Sequence, residues 1–122
     1  MRIVKTTKKH FETFVEASKS WIATFGLLGW EVDFSHEELE ARGQCAADLD
    51  GRVARLSLST HWSEKPTDDD LKLCAFHEAM ELMLMPVRIL AMERYTTEDA
   101  LDGAIHGVIR RLENVVFKGF EQ

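Results

Sequence analysis

The apolar stretch Leu71–Met85 constrains the fold of this chain more than any other feature, because almost every residue in it is hydrophobic. Thr67–Asp70 resembles a capping box, and Pro66 suits the first turn of a helix. The pattern therefore predicts a helix that begins near Pro66 and runs to about Met85, where Pro86 ends or kinks it. A helix that is apolar on all sides is normally buried on most of them.

This predicted helix nevertheless carries three polar residues in its middle, His77, Glu78 and Glu81. At about 100° per residue, His77 and Glu81 lie within about 40° of each other, and Glu78 lies within about 100° of them. Unpaired buried carboxylates are costly, so the narrow polar stripe needs an explanation. Either the stripe faces solvent or is neutralised by Arg55 and Lys72, or its members converge on a metal ion.

The metal hypothesis rests on spacing. A His and a Glu one helical turn apart offer two ligands to one ion, and a Glu between them can orient a metal-bound water. The metalloprotease motif His-Glu-x-x-His uses two histidines in this way. In this chain Glu81 stands in the place of the second histidine.

A metal site needs at least one further ligand, and His106 on the last predicted helix is the best candidate. Asp102, one turn earlier, is placed to accept the other ring proton of His106. The alternative is that His106 is a boundary residue without a task. His61, at the end of a predicted strand, is a candidate substrate contact. Cys74 is either a soft zinc ligand or a small buried thiol.

The remaining pattern predicts an α+β fold. Apolar residues at helical spacing indicate a first helix, Thr7–Phe25, stopped by Gly26. Alternation from Trp30 to Phe34 predicts a half-buried strand, and a second strand leads into the hairpin signal at Asp50-Gly51. Alternation resumes over Arg52–Trp62. We expect these segments to form a three-stranded, largely antiparallel sheet with one covered face.

The last helix is predicted to begin at Thr96 or Thr97, where Glu98 and Asp99 suit the helix dipole. Its predicted apolar stripe consists of Leu101, Ile105, Val108, Leu112, Val115 and Val116.

Composition limits the partners. The chain has 122 residues and a net charge of −6, which fits one domain over residues 1–122 and disfavours a nucleic-acid partner. No apolar run is long enough to span a bilayer, no secretory signal precedes the first helix, and two cysteines are too few for a disulfide framework. We expect a cytoplasmic protein with no membrane partner, and the oligomeric state stays open.

Two segments resemble a known family. Cys74–Leu84 (CAFHEAMELML) and Ile105–Glu113 (IHGVIRRLE) look like segments of small bacteriophage- and prophage-encoded proteins described as zincin-like metallopeptidases or left uncharacterised. The order of elements from about Phe11 to Phe117 also resembles the compact zincin-like core. The resemblance implies a cytoplasmic protein of the bacterial host cell that acts on a peptide or protein substrate.

The resemblance also implies a zinc ion bound by His77, Glu81 and His106, with Glu78 as the general base of peptide hydrolysis. The edge strand that ends near His61 would line the substrate groove. Because Glu81 replaces a histidine, Mn²⁺ or Fe²⁺ becomes more competitive with Zn²⁺. The alternative is a catalytically inactive zincin-like phage protein that serves as a binding, adaptor or structural module.

Overall fold

A computed structural model describes residues 3–117 and has an α+β architecture of helices packed on one face of a small sheet. The helices are α1 (Lys8–Thr24), α2 (Asp68–Met92) and α3 (Glu98–Leu112), and a π-helical segment, Glu113–Phe117, follows α3. The strands are β1 (Val4–Lys5), β2 (Glu31–Glu37), β3 (Gly43–Asp48), β4 (Val53–Ser59) and β5 (His61–Trp62).

Helix α1 confirms its sequence prediction almost to the residue. Thr7 is the N-cap, and its side chain accepts a hydrogen bond from the His10 backbone N–H. In return, His10 Nδ1 accepts one from the Thr7 backbone N–H, which completes a capping box. After the helix, Gly26 adopts φ +64°, the left-handed conformation that ends helices most easily at glycine.

The prediction of a largely antiparallel sheet is wrong for one of its two strand pairs. The strand order is β2-β4-β3, in which β3 pairs with β4 antiparallel and β2 pairs with β4 in parallel. The predicted hairpin at Asp50-Gly51 does join β3 to β4. The parallel pair arises because residues 38–42 cross the end of β4, so that β3 lies on the far side. A second sheet, the antiparallel pair of β1 and β5, was not predicted from the sequence.

Ser59, at the end of β4, holds this crossing in place. Its hydroxyl accepts a hydrogen bond from the Leu39 backbone N–H and donates its one proton to the backbone carbonyl of Leu39 or His61. Its own backbone N–H donates to the Arg42 carbonyl. Ser59 is fully buried, so these bonds also satisfy a polar group that would otherwise be costly to bury. The crossing is therefore a fixed part of the sheet.

The hydrophobic core lies between the sheet and helices α1 and α2. Phe14 from α1, Leu56 and Leu58 from β4, and Leu71 and Leu82 from α2 have no exposed surface. Leu56 and Leu58 lie on the predicted covered face of the sheet. On its other face, Arg55 and Asp33 form an exposed ion pair with 3.0 Å between Nη2 and Oδ2.

Helix α2 is longer than predicted, since it continues through Pro86 to Met92. Val87, Ile89 and Leu90 are half-buried and extend the apolar pattern beyond the proline. Its predicted capping box is present: Thr67 is the N-cap, and the Asp70 carboxylate accepts a hydrogen bond from the Thr67 backbone N–H at 3.0 Å.

Helix α3 begins as predicted, with Thr97 as its N-cap. Its predicted apolar stripe, however, divides into a half-buried row and an exposed row. Leu101, Val108 and Val115 are half-buried, whereas an adjacent row of large apolar side chains remains exposed: Ile105, Ile109, Leu112, Val116 and Phe117. None of the helices described has the combined length and hydrophobicity of a membrane-spanning segment.

Candidate metal centre

The three polar residues of α2 form the one group of potential metal ligands found among residues 3–117. His77, Glu78 and Glu81 each offer one ligand atom, and these atoms lie within 4.8 Å of one another. Helical geometry brings Glu81 close to both of the others, because residues three and four positions apart on one helix, such as Glu78 and Glu81 or His77 and Glu81, are neighbours on its surface. The sequence prediction that these three side chains are neighbours agrees with this arrangement.

The group crosses the boundary between core and solvent. Glu78 is 4% exposed, whereas the side chains of His77 and Glu81 are 68% and 41% exposed. His77 Nε2 lies 3.8 Å from Glu81 Oε1. Arg55, a residue expected to neutralise the stripe in the alternative interpretation, is paired with Asp33 on the sheet instead.

Glu78 is the unusual member of the group. Its Oε1 atom is buried and has no hydrogen-bond partner among the described residues. Burial, followed by the hydrogen bond and the negative charge of Glu81, raises the pKa of Glu78 to about 8. An unpartnered carboxylate oxygen beside a second carboxylate is a place where a cation would be stabilising.

The wall opposite Glu78 is the backbone of β3. A methyl group placed on Gly43 would lie 3.1 Å from Glu78 Oε2 and 2.8 Å from Cys74 Sγ, closer than real Cβ atoms approach sulfur. Only a glycine therefore allows β3 to come this close to α2. A cleft of about 330 Å³ opens beside this contact, and its lining includes Arg42, Leu73, Cys74, His77 and Glu78.

Both cysteines are free thiols near this group. Cys74 is buried, and Cys45 is half-buried on β3. Burial, followed by the charge of Glu78, raises the pKa of each thiol to about 12. The protonated form is therefore strongly favoured, which agrees with the interpretation of Cys74 as a small buried thiol that lines the cleft.

His106 does not belong to the group. It is exposed on α3, and its Nδ1 lies 2.8 Å from the backbone carbonyl oxygen of Asp102. Asp102 was predicted to meet the His106 ring through its carboxylate, and the contact is through the backbone instead. The residues that face α2 from α3, such as Ala104 and Val108, are half-buried on another side of that helix.

His61 lies on β5, where it pairs with Lys5 and its Nδ1 lies 2.8 Å from Thr60 Oγ1. The strand that ends near His61 is β4, which is the central strand of its sheet and not an edge. The edge strand that lies beside the cluster on α2 is β3, and not the strand that ends near His61. This correction follows from the crossing of residues 38–42, which no local pattern revealed.

Sequence reasoning missed Arg42 and Gly43, which line the cleft. The one signal available was a glycine placed directly before an apolar strand, a pattern that often marks close approach of two backbones. Comparison of the chain with protein-family models, with curated proteins and with solved structures found no match.

Proposed function

We propose that this protein binds a divalent metal ion at His77 and Glu81 and uses it, together with Glu78, to hydrolyse peptide bonds in the manner of a zincin-like metallopeptidase. The observation that carries the proposal is the buried, unpartnered Oε1 of Glu78 beside two further potential ligands. Burial of this carboxylate oxygen without a partner costs free energy, and a nearby cation would offset that cost.

The donor set fits Zn²⁺. Imidazole nitrogen and carboxylate oxygen bind zinc at about 2.0–2.2 Å, so two donors on one ion lie within about 4.4 Å of each other. His77 Nε2 and Glu81 Oε1 lie 3.8 Å apart, which is already within that limit. The carboxylate ligand Glu81, in the place of a second histidine, also suits Mn²⁺ or Fe²⁺, which prefer oxygen ligands more than zinc does.

The bound metal would supply a polarised substrate carbonyl and a water of lowered pKa. Glu78 would serve as the group that holds the proton of the attacking water and returns it to the leaving amine, so the carboxyl group would end in its starting state. Without a metal, burial followed by Glu81 raises the pKa of Glu78 to about 8, and a cation beside the carboxylate would lower this pKa toward the neutral range that suits a general base. The cleft beside Glu78 provides room for the substrate.

Metal content and hydrolysis test the proposal together. The protein is purified without added metal or a metal-carrying tag, and its metal is measured for the parent, His77→Ala, Glu81→Ala and Glu78→Gln. We expect about one metal ion per chain in the parent and a loss in His77→Ala and Glu81→Ala. Glu93→Gln, at the end of the same helix, is the matched control and retains the metal.

Hydrolysis of an unstructured protein such as casein is then measured with metal added back. Glu78→Gln is expected to keep its metal and to lose hydrolysis by about 10²-fold or more, the scale of general-base catalysis. His106→Ala distinguishes a site formed by His77, Glu81 and His106 from a site formed by His77 and Glu81 alone. A loss of metal would add His106 to the ligands, and retention of metal would restrict the ligands to α2. The absence of metal from the parent would overturn the proposal and leave a binding or structural module.

A further inference from the structure

Hydrogen bonds to its backbone and a tryptophan ring beneath its side chain position Arg42 at the cleft that adjoins the candidate metal centre. Its backbone carbonyl accepts hydrogen bonds from the Ser59 backbone N–H at 2.8 Å and from Trp62 Nε1 at 3.3 Å. Its guanidinium carbon lies 4.6 Å from the centre of the Trp62 ring, a cation–π contact. Trp62 itself is 2% exposed, so the side chain that supports Arg42 is anchored in the core.

Arg42 forms no ion pair within the described part of the chain; the pKa of Asp70 is lowered chiefly by its hydrogen bonds to Thr67 and to a smaller extent by the charge of Arg42. Between residues 3 and 117, the ion pairs with N–O distances within 4.0 Å are Arg55–Asp33 and His77–Glu81. Asp70 also lines the cleft, but its carboxylate accepts the Thr67 backbone N–H in the capping box of α2. Arg42 therefore presents its hydrogen-bond donors to whatever occupies the cleft.

The rest of the cleft is suited to a peptide. Leu73 is 66% exposed along one wall and gives an apolar surface beside the cation. His77 and Glu78, which lie on the same helix as Leu73, bring the candidate metal centre to the same space. A guanidinium fork binds a carboxylate through two parallel hydrogen bonds, and its support on Trp62 reduces the side-chain entropy lost on binding.

We infer that Arg42 is a specificity-determining residue that binds a carboxylate of the peptide in this cleft, so that the site selects acidic peptides. The inference rests on the proposed function for the identity of the site as a peptidase. The carboxylate belongs either to an Asp or Glu side chain or to a free peptide C-terminus.

Peptide binding to the full chain tests the inference without requiring catalysis. Three fluorescein-labelled hexapeptides are compared by fluorescence anisotropy: Ala-Ala-Leu-Glu-Ala-Ala with an amidated C-terminus, its Gln counterpart, and the Gln peptide with a free carboxylate. Binding is measured at low salt, first with metal removed by EDTA and then with Zn²⁺ added. At least one carboxylate-bearing peptide is expected to bind about three- to tenfold more tightly than the neutral peptide, the scale of a partly exposed charge pair.

Arg42→Gln should abolish this preference, and Arg42→Lys should retain part of it, because the charge remains but the fork is lost. Arg52→Gln is the matched control, since Arg52 also lies over a tryptophan, 5.4 Å from the Trp30 ring centre, and it should leave the preference unchanged. Circular dichroism verifies that each variant folds.

Equal binding of all three peptides, an unchanged preference in Arg42→Gln, or no measurable binding would each overturn the inference. A preference that depends on Arg42 in a chain that binds no metal would support the carboxylate site and count against the peptidase proposal alone.

Discussion

The carboxyl group of Glu78 and the thiol of Cys74 both face the backbone of Gly43, and these surroundings favour the neutral form of Glu78. The unfolded chain exposes the same group to water, where an ordinary glutamate titrates near pH 4.3. Folding and proton binding at this residue are therefore linked.

We expect the metal-free protein to lose stability as the pH rises from about 4.5 to about 8. The pKa of Glu78 is raised to about 8 in the folded state, so the folded state binds the proton more tightly than the unfolded state. The contribution of Glu78 is therefore fully present below the unfolded pKa and is lost as the pH rises through the folded one.

Urea unfolding of the metal-free protein between pH 4.5 and pH 8.5 measures this loss, with Glu78→Gln and the exposed Glu93→Gln compared in parallel. Glu78→Gln should flatten the dependence and Glu93→Gln should preserve it. A Glu78→Gln chain with the pH dependence of the parent would show that Glu78 is not the responsible group.

At the scale of secondary-structure elements, the packing of α2 on β3 depends on one residue, Gly43. A Cβ atom at Gly43 would meet Cys74 Sγ at 2.8 Å and the Ser57 backbone oxygen at 3.1 Å. The Ser57 oxygen belongs to the neighbouring strand β4 and cannot rotate away as a side chain does, so the clash with Cys74 could be relieved only by a shift of β3 or of the Cys74 side chain.

Gly43→Ala should therefore lower the free energy of unfolding by about 1–3 kcal/mol, the usual cost of overpacking. Gly103→Ala on α3 is the control, because a Cβ there meets nothing within 4 Å. In a helix this change should raise stability by about 0.5–1 kcal/mol. Chemical unfolding measures both, and a neutral Gly43→Ala would mean that β3 lies farther from α2.

The sequence predicts helices α1, α2 and α3 because local periodicity and capping determine them. Phe14 and Leu71 lie on the faces that helical spacing assigns to the core, and Thr67 and Thr97 are N-caps as expected. The spacing of His77 and Glu81 on one helix likewise requires no knowledge of the rest of the fold.

Contacts between distant segments could not be predicted in this way. The parallel pairing of β2 with β4 depends on the path of residues 38–42 over Ser59, and Arg42 reaches the cleft only because of that path. The direction in which His106 points depends on the rotation of α3 about its own axis. That rotation is hard to predict because the apolar residues of α3 occupy more than one face of the helix. Periodicity alone therefore did not determine the orientation of α3.

The parts of the molecule differ in how deeply they are buried. Helices α1 and α2 and strand β4 contribute fully buried side chains, whereas α3 has no buried residue. Elements with few buried contacts open locally at a lower free-energy cost than the core.

Amide hydrogen exchange should consequently be fastest in α3 among the three helices, while β4 and the first half of α2 exchange slowly. Mass spectrometry of peptides from each element measures the rates, and the solvent-facing half of α1 provides an internal control for surface position. Equal protection of α3 and α2 at all protein concentrations would contradict the expectation.

The order β2-β4-β3 also has a consequence for biosynthesis. The central strand of the sheet is the last of the three to be synthesised, so β2 and β3 leave the ribosome before the partner of either exists. At roughly 5–20 residues per second, the interval between Glu37 and Ser59 lasts about one to four seconds. During that interval both strands have unpaired backbone edges. Helix α1, which is made earlier, already supplies Phe11 to stack on His36 of β2, whereas β3 gains its helical partner α2 only after β4 has been made.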